Sequence, residues 1–314
     1  MATSGSVDFN VNALTLLNGA YSNIGVKSAE RALSAYQVEL GLQKLNLLVK
    51  QWQGNNDFAP GFKVFSRKRA YVFLQKNQAS YALGSTGDHA TGAYVTTTIS
   101  ATEAAAQTVL SVVSSTGMTA ADNIGIELDT GFIQWTTVSS TGVGTVTIPA
   151  TGLTSQASIG NRVFSYTTKM YRPLEILTAS LRDSDDNDNP MGAMDLYEYE
   201  SIPNKLSEGT PARQYYETQR TNGVMYLDVT PDDVTNVIRL VYLSPVEDLD
   251  ITTDDLDYPQ HWYRALEAQL SLDLCLPFNR PVTDALKAVL QSSIAIAQNA
   301  DPQTTQVYFQ PGVD

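Results

Sequence analysis

Helix-type sequence opens and closes this chain, and a long stretch of β-type sequence separates the two parts. Amphipathic helices are predicted at 12–25 and 28–53, and a helical pair at 258–300. Helices so far apart in sequence have to pack on each other across everything between them. The order therefore predicts an α+β fold, in which the N-terminal helix pair and the C-terminal helices form a helical core with a β-rich middle.

The helix limits follow from capping and breaking residues. Gly25 is placed to end the first helix, and Ser28 to cap the second. Asp257 is a candidate cap for the third helix, and Pro277 should break the last helical stretch into two. The single cysteine, Cys275, falls in an apolar helical pattern and is predicted to be a buried hydrophobic residue.

Residues 79–167 are rich in Thr, Ser, Ala, Gly and Val, and short strand patterns recur through them with glycine turns between. The strand patterns are Tyr94–Ile99, Val109–Val113, Asn123–Leu128, Phe132–Val138, Thr145–Ile148 and Arg162–Tyr166. Asp129-Thr130-Gly131 fits a hairpin turn between two of them. This segment is predicted to be an inserted small β-barrel or sandwich within a discontinuous core of residues 1–78 and 168–314.

Further strands are predicted after the insert, at Pro173–Ser180 and Met194–Glu200. Val224–Val229 and Val237–Leu243 are interpreted as a pair joined by a turn at 230–233. Residues 303–314 are interpreted as an extended tail, and their aromatic residues suit docking on a neighbouring molecule.

The net charge is −13, and it is unevenly distributed. Residues 1–80 are net basic, whereas acidic runs fill 183–188 and 247–257. A bipolar chain of this kind suits head-to-tail contact between identical copies, and the alternative is an acidic surface that only aids solubility. The candidate subunit or channel charges are Arg67, Lys68, Arg69, Asp183, Asp185, Asp186, Asp188, Asp254 and Asp255.

No catalytic or metal-binding signature is found in the sequence. The acidic run 183–189 lacks the glycine and the distal glutamate of an EF-hand, and His89 and His261 are isolated from other ligand types. Glu30 with Glu39, or Glu198 with Glu200, is a conceivable glycosidase pair, but nothing in the spacing selects it. The sequence also has no apolar run long enough for a membrane span and no signal-peptide pattern at its start. The expectation is a protein without enzymatic activity, cofactor or metal.

Three stretches of the chain resemble one known family. They are the opening helix pair, with Leu14–Val26 and Ser28–Trp52; the segment Tyr197–Lys205 with Gly209–Tyr216; and Tyr242–Leu249, followed by the helix 259–276 and the sequence Tyr-Phe-Gln-Pro-Gly at 308–312. In this order they resemble the tail accessory factors, or head-to-tail adaptors, of short-tailed P22-like bacteriophages, in the longer form that carries an inserted β domain.

The resemblance implies a structural virion protein of the tail or neck, assembled in the host cytoplasm. Such adaptors form a ring, usually of 12 copies, below the portal protein; the ring extends the DNA channel, helps retain the packaged genome and offers a platform for a distal tail nozzle or hub protein. The tail would then lie along the portal, with Val307, Tyr308, Phe309 and Pro311 as the docking residues. Double-stranded DNA would pass through the channel without sequence-specific contacts, and acidic loops near the lumen would repel its phosphates.

Two other functions remain open at this stage. A β protein that decorates the tail or binds the host envelope through 79–167 is one, and a peptidoglycan-cleaving tail enzyme is the other. The basic run Arg67–Arg69 could contact DNA phosphates, although pairing with acidic loops of a neighbouring subunit suits the net charge better.

Overall fold

The structure is a computed structural model that describes residues 5–6, 9–28, 30–56, 59–60, 64–87, 90–232 and 234–300. The fold is α+β with a β-rich middle, as predicted. Its α-helices are α1 (Ala13–Asn23), α2 (Ala35–Trp52), α3 (Leu196–Glu200), α4 (Tyr263–Cys275) and α5 (Asp284–Ala300), and short 3₁₀ helices lie at Val64–Ser66 and Gln260–Trp262.

The strands are β1 (Asn55–Asn56), β2 (Ala59–Pro60), β3 (Arg67–Phe73), β4 (Ser80–Leu83), β5 (Ala90–Thr91), β6 (Val95–Thr98), β7 (Val109–Ser111), β8 (Asn123–Glu127), β9 (Ile133–Thr137), β10 (Ser140–Gly142), β11 (Thr145–Thr147), β12 (Arg162–Tyr166), β13 (Glu175–Arg182), β14 (Asp188–Ala193), β15 (Arg213–Thr218), β16 (Gly223–Leu227) and β17 (Val237–Leu243).

The chain divides into two compact units. The helical unit is drawn from Met1–Ser66 and Pro245–Asp314, and the β unit is Arg67–Ser244. The predicted core of residues 1–78 and 168–314 therefore does not follow this division, because β3 and all strands from β13 onward belong with the β unit.

The helical unit closes around a single core shared by α1, α2 and α4. The rings of Trp52 and Trp262 meet there with centroids 5.8 Å apart. Gly41 faces α1, and a Cβ atom at this position would lie 2.5 Å from Leu17 Cδ2. The absence of a side chain at Gly41 thus permits α1 and α2 to approach closely.

The predicted start of the second helix at Ser28 is wrong. Helix α2 begins at Ala35, because Ser34 accepts a hydrogen bond from Gln37 N and the Gln37 side chain accepts one from Ser34 N, which together form a capping box. The first helix ends at Asn23, and Gly25 follows it with a φ of +66°. This backbone conformation favours glycine, so the predicted stop is confirmed.

The predicted cap of the third helix, Asp257, is also wrong; this helix is α4 together with the 3₁₀ turn that leads into it. The residue before its leading 3₁₀ turn is Pro259, not Asp257, since proline already supplies the extended backbone at that point. Helix α4 ends at Cys275, ahead of Pro277 as predicted, and Cys275 is buried.

The largest sheet of the β unit has eight strands in the order β4-β16-β15-β14-β13-β17-β3-β5. All neighbouring strands are antiparallel except β14 and β15, which are parallel. The predicted pairing of 224–229 with 237–243 is wrong. Strand β16 pairs with β4 and β15 instead, and the chain that follows it is tied to a different segment by the bond from Thr230 N to Ser207 O (2.9 Å).

The predicted strand at 194–200 is also wrong. Residues Leu196–Glu200 form α3, which begins with a capping box between Asp195 and Glu198. The two side chains satisfy the first backbone N–H groups of a single helical turn, and this local pairing favours helix over strand.

The insert contains two sheets around one core, with strand orders β6-β12-β8-β9 and β10-β11-β7. Backbone bonds from Ser100 N to Ser111 O and from Val113 N to Thr98 O, both 2.9 Å, link them as in an incompletely closed barrel. A bridge between Ile99 and Val112 joins the two sheets at one edge. The Asp129–Gly131 turn is confirmed between β8 and β9, with Gly131 N donating to Leu128 O (2.9 Å). Strands β4 and β5 fall inside the predicted limits of the insert, but they belong to the eight-stranded sheet.

Candidate interaction surfaces

The predicted docking tail, with Val307, Tyr308, Phe309 and Pro311, lies outside the described residues. His89 lies outside them as well. The remaining candidate residues are described, and they fall in two places on the β unit and one on the helical unit.

The basic run Arg67–Arg69 forms the first half of β3, beside β17. Arg67 and Arg69 are exposed, whereas Lys68 is half-buried, because alternate residues of a strand point to opposite faces. The Lys68 ammonium lies 5.3 Å from the centre of the Tyr171 ring, a cation–π contact. The side chains of Arg67 and Arg69 thus lie on the exposed face of β3, and Lys68 is partly buried against Tyr171.

The acidic run 183–188 forms the turn between β13 and β14, and its carboxylates have unequal surroundings. Asp188 accepts a two-pronged hydrogen bond from Arg182, with Arg182 Nε and Nη2 at 2.8 and 2.9 Å from its two oxygens, and also pairs with Arg239. The hydrogen bond from Arg182 is the main reason that the pKa of Asp188 falls to about 2. The charge of Asp188 is thus neutralised within the sheet.

Asp183 shapes the same turn from inside. Its Oδ1 accepts from the backbone N–H groups of Asp185 and Asn187, both at 2.9 Å, and these bonds lower its pKa. Asp185 and Asp186 are exposed, and Asp186 lies 3.6 Å from the Arg182 guanidinium. Of the four predicted acids here, Asp185 and Asp186 are the most exposed to solvent, because Asp183 and Asp188 are engaged in the turn and the sheet.

The acidic loop 247–257 of the helical unit holds the start of α1. The backbone N–H of Ala13 donates to Asp254 O at 2.9 Å, and that of Leu14 donates to Thr252 O at 2.9 Å. The Asp254 carboxylate accepts from the backbone of Asp250 (2.8 Å) within the loop. Asp255 is exposed and pairs by a backbone bridge with Asn12. Asp254 therefore has a structural role, and Asp255 is exposed on the loop surface.

The helical unit exposes several large apolar side chains, on its helices and beside them. The charge distribution of the sequence gives no indication of these positions. Phe9 is 68% exposed and Ile296 is 65% exposed. Tyr36 and Leu47 on α2 and Leu276 after α4 are exposed as well. Singly exposed apolar residues are normal on a protein surface, whereas a contiguous patch of them marks a binding surface. Tyr36, Leu47 and Leu276 fall in apolar patterns of the sequence, and periodicity alone could not show that they remain uncovered.

A groove of about 700 Å³ runs between α1, α4 and α5. Its walls are largely apolar, with Arg264 and Glu267 as the charged residues among them. Glu267 accepts a hydrogen bond from Asn23 Nδ2 at 2.9 Å. The groove lining is Phe9, Val11, Thr15, Leu16, Asn23, Gln260, Tyr263, Arg264, Glu267, Ala268, Thr283, Ala285, Leu286 and Val289.

One end of the β insert also exposes apolar residues. Val143, at the tip between β10 and β11, is fully exposed, and Val113 is exposed beside it. The backbone bond from Val112 N to Gly144 O (2.9 Å) holds these two segments together. Gly142, Val143 and Gly144 form the tip of the β10–β11 hairpin, and the valine side chain lies in solvent.

Within the described part of the chain, no group of three His, Cys, Asp or Glu side chains is arranged to hold a metal ion. Among the same residues, no helix has both the length and the apolar character needed to cross a bilayer. The conceivable pairs Glu30 with Glu39 and Glu198 with Glu200 are on exposed stretches, apart from the groove described above.

Comparison of the chain with protein-family models and with curated proteins gave no match in either case.

Proposed function

We propose that this protein is a structural virion component, a head-to-tail adaptor that assembles as a ring below a phage portal. The observation that carries the proposal is the exposed apolar surface of the helical unit, on Phe9, Tyr36, Leu47 and Ile296. Covering these side chains with another protein would remove apolar surface from water and so stabilise an assembly. The partners follow from the resemblance to the phage adaptors. They are further copies of the chain, the portal protein, and a distal nozzle or hub.

The charges support closed self-association. Arg67 and Arg69 are exposed cations, and Asp185 and Asp186 are exposed anions. A ring is built from one surface of a subunit against a different surface of the next, so opposite charges at two separate places suit that contact. In this proposal packaged double-stranded DNA passes through the ring, and the remaining acidic surface weakens its attraction to the wall.

Electron microscopy of the purified chain mixed with portal rings tests this function. The expected result is a closed ring, of about 12 copies by the family resemblance, seated on the portal. The same mixture prepared with a chain lacking residues 303–314 should give no seated ring if the tail is the anchor. Absence of any association with the full chain would contradict the adaptor function.

A second function is favoured by one specific observation, the exposed valines Val143 and Val113 at one end of the insert. They suit a contact between the β insert and the host envelope or the outside of the tail. Val143→Asp with Val113→Asp should then reduce binding of the chain to host cells, while ring formation on the portal is unchanged. Equal binding of the variant and the parent chain would exclude this use of the insert end.

A further inference from the structure

The last helix of the helical unit is unusually exposed for a core element. Of the 17 residues of α5, the buried ones are Ser293 and Ala297. The exposed surface on the two sides of this buried line differs in chemistry. One flank carries polar and charged residues, namely Asp284, Lys287, Gln291 and Gln298.

The other flank carries an almost unbroken row of uncharged residues. Ala285, Val289, Ser292, Ile296 and Ala300 follow one another at spacings of three and four residues, so they lie in one row along the helix. Ala285 and Val289, at the start of this row, also line the 700 Å³ groove. The row therefore leads from the end of α5 directly into the groove.

We propose that Val307–Phe309 of the same chain occupy this groove, with residues 301–306 returning along the uncharged flank of α5. The inference concerns the free subunit and does not rest on the ring function. The proposed occupant is a segment of the same chain. The alternative occupant is the same segment of a second copy.

The length of the chain permits this return. Helix α5 spans about 17 Å from Val289 to Ala300, at about 1.5 Å per residue. The seven residue steps from Ala300 to Val307 reach about 23 Å when extended, at about 3.3 Å per residue. The segment can therefore bring Val307 level with Val289 and place Tyr308 and Phe309 farther into the groove.

The chemistry of the segment matches the groove. Residues 301–314 contain Asp301 and Asp314 and no basic residue, and Val307-Tyr308-Phe309 is their longest apolar run. The groove offers apolar walls at Leu16, Leu286 and Val289 and an exposed arginine, Arg264. Burial of a valine and two aromatic rings would stabilise the docked state, and the arginine complements the acidic segment.

Disulfide trapping tests the proposed contact in the full chain. In a Cys275→Ser background, Val289→Cys is combined with Val307→Cys and oxidised at low protein concentration. A disulfide requires the two Cα atoms to approach within about 4.4–6.8 Å. We expect an intramolecular cross-link that forms at least about tenfold faster than in the matched control, Gln291→Cys with Val307→Cys, because Gln291 lies on the polar flank of the same helix.

Each other outcome overturns the proposal. Equal cross-linking rates from positions 289 and 291 would mean that the segment has no preferred flank. A disulfide-linked dimer from position 289 would assign the groove to the segment of a second copy. Absence of a cross-link from position 289 under conditions that join free thiols would leave the groove without this occupant.

Limited proteolysis gives a second measurement that needs no introduced cysteine. Chymotrypsin cleaves after Tyr308 and Phe309, and docking should protect both sites. Val289→Asp places a charge in the groove and should raise the cleavage rate several-fold, whereas Gln291→Asp should leave it unchanged. If the parent chain is cut as fast as Val289→Asp, the segment is not docked.

Discussion

The helical unit and the β unit are closed by different kinds of interaction. The helical unit joins segments from opposite ends of the sequence by packing and by side chains that bond to backbone, as Asn46 does with Leu249. The β unit is joined mainly by continuous backbone ladders, such as the seven-residue pairing of β17 with β3. The closure of the helical unit therefore depends on few residues, and single substitutions there should have the larger effects.

The largest effect is expected in the core of the helical unit. Leu270 on α4 is fully buried, so Leu270→Ala should lower the free energy of unfolding by about 2–5 kcal/mol, through lost apolar burial and the cavity left behind. Chemical denaturation followed by the fluorescence of Trp52 and Trp262, in a Trp135→Phe background, measures this unit.

Leu290→Ala on α5 is the matched control for that change. Leu290 is only half-buried, so less apolar surface is lost and the loss of stability should be clearly smaller. Equal losses for the two leucines would contradict the description of α4 as a core helix and α5 as a surface helix.

The second-largest effect is expected from loss of the hydrogen bonds between the Asn46 side chain and the Leu249 backbone. The Asn46 amide donates to Leu249 O at 2.8 Å and accepts from Leu249 N at 2.9 Å, so one side chain satisfies both backbone groups of a residue 203 positions away. Asn46→Ala removes both bonds and should lower the free energy of unfolding by about 1–3 kcal/mol. Gln43→Ala on the exposed side of α2 should be close to neutral under the same fluorescence measurement, and an equal loss for Gln43→Ala would refute the tie.

The sequence predicts those features of the fold that neighbouring residues determine better than those that depend on residues far apart in the chain. The class of fold, the break before Pro277 and the Asp129–Gly131 turn follow from local residue chemistry. The residues of the capping box, Ser34 and Gln37, are also a local signal, and the predicted start at Ser28 overlooks it. Local chemistry could not show that β16 and β17 are separated in the sheet, since strand order depends on partners distant in sequence.

The candidate charges illustrate the same limit. Composition identifies 183–188 as an acidic surface run, but it does not show that Asp188 pairs with two arginines. Arg182 is its main partner, and Arg239 reaches it only through the register of β13 with β17. Periodicity gives α4 and α5 similar apolar patterns, and it does not specify which of the two is covered. Eight of the 13 residues of α4 are buried, against two of 17 in α5.

A smaller effect is expected in the β unit. Asp188→Asn removes the charge paired with Arg182 and Arg239, but the ladders on both sides of β13 remain. The pKa of Asp188 is lowered from 3.8 to about 2 in the folded protein, so the pair stabilises the fold above about pH 4 and the contribution is lost as the pH falls toward 2. The substitution should cost about 1 kcal/mol at pH 7.

The pH dependence separates this ion pair from a general loss of structure. The difference in stability between parent and Asp188→Asn should shrink as the pH falls from 4 to 2, measured by denaturation followed by Trp135 fluorescence. Asp183 has a lowered pKa as well, so the variant should retain a reduced slope in this window rather than none. A difference that stays constant with pH would show that the aspartate acts through its shape and not through its charge.

The smallest effect is expected on the polar flank of α5. Lys287 Nζ lies 3.2 Å from Asp284 Oδ1, and the Asp284 side chain is fully exposed. Solvent screens such a pair, and Lys287→Ala should change the free energy of unfolding by no more than about 0.5 kcal/mol, by the same fluorescence measurement as for Leu270→Ala. Added salt should not alter the difference, because little electrostatic energy is present to screen. A loss above about 1 kcal/mol would be larger than exposed ion pairs supply, and it would mean that α5 is held by its charged flank. Helix α4 is mostly buried and α5 is mostly exposed. A large loss for Lys287→Ala would mean that α5 is held on its polar flank, which lies opposite the uncharged row that leads to the groove.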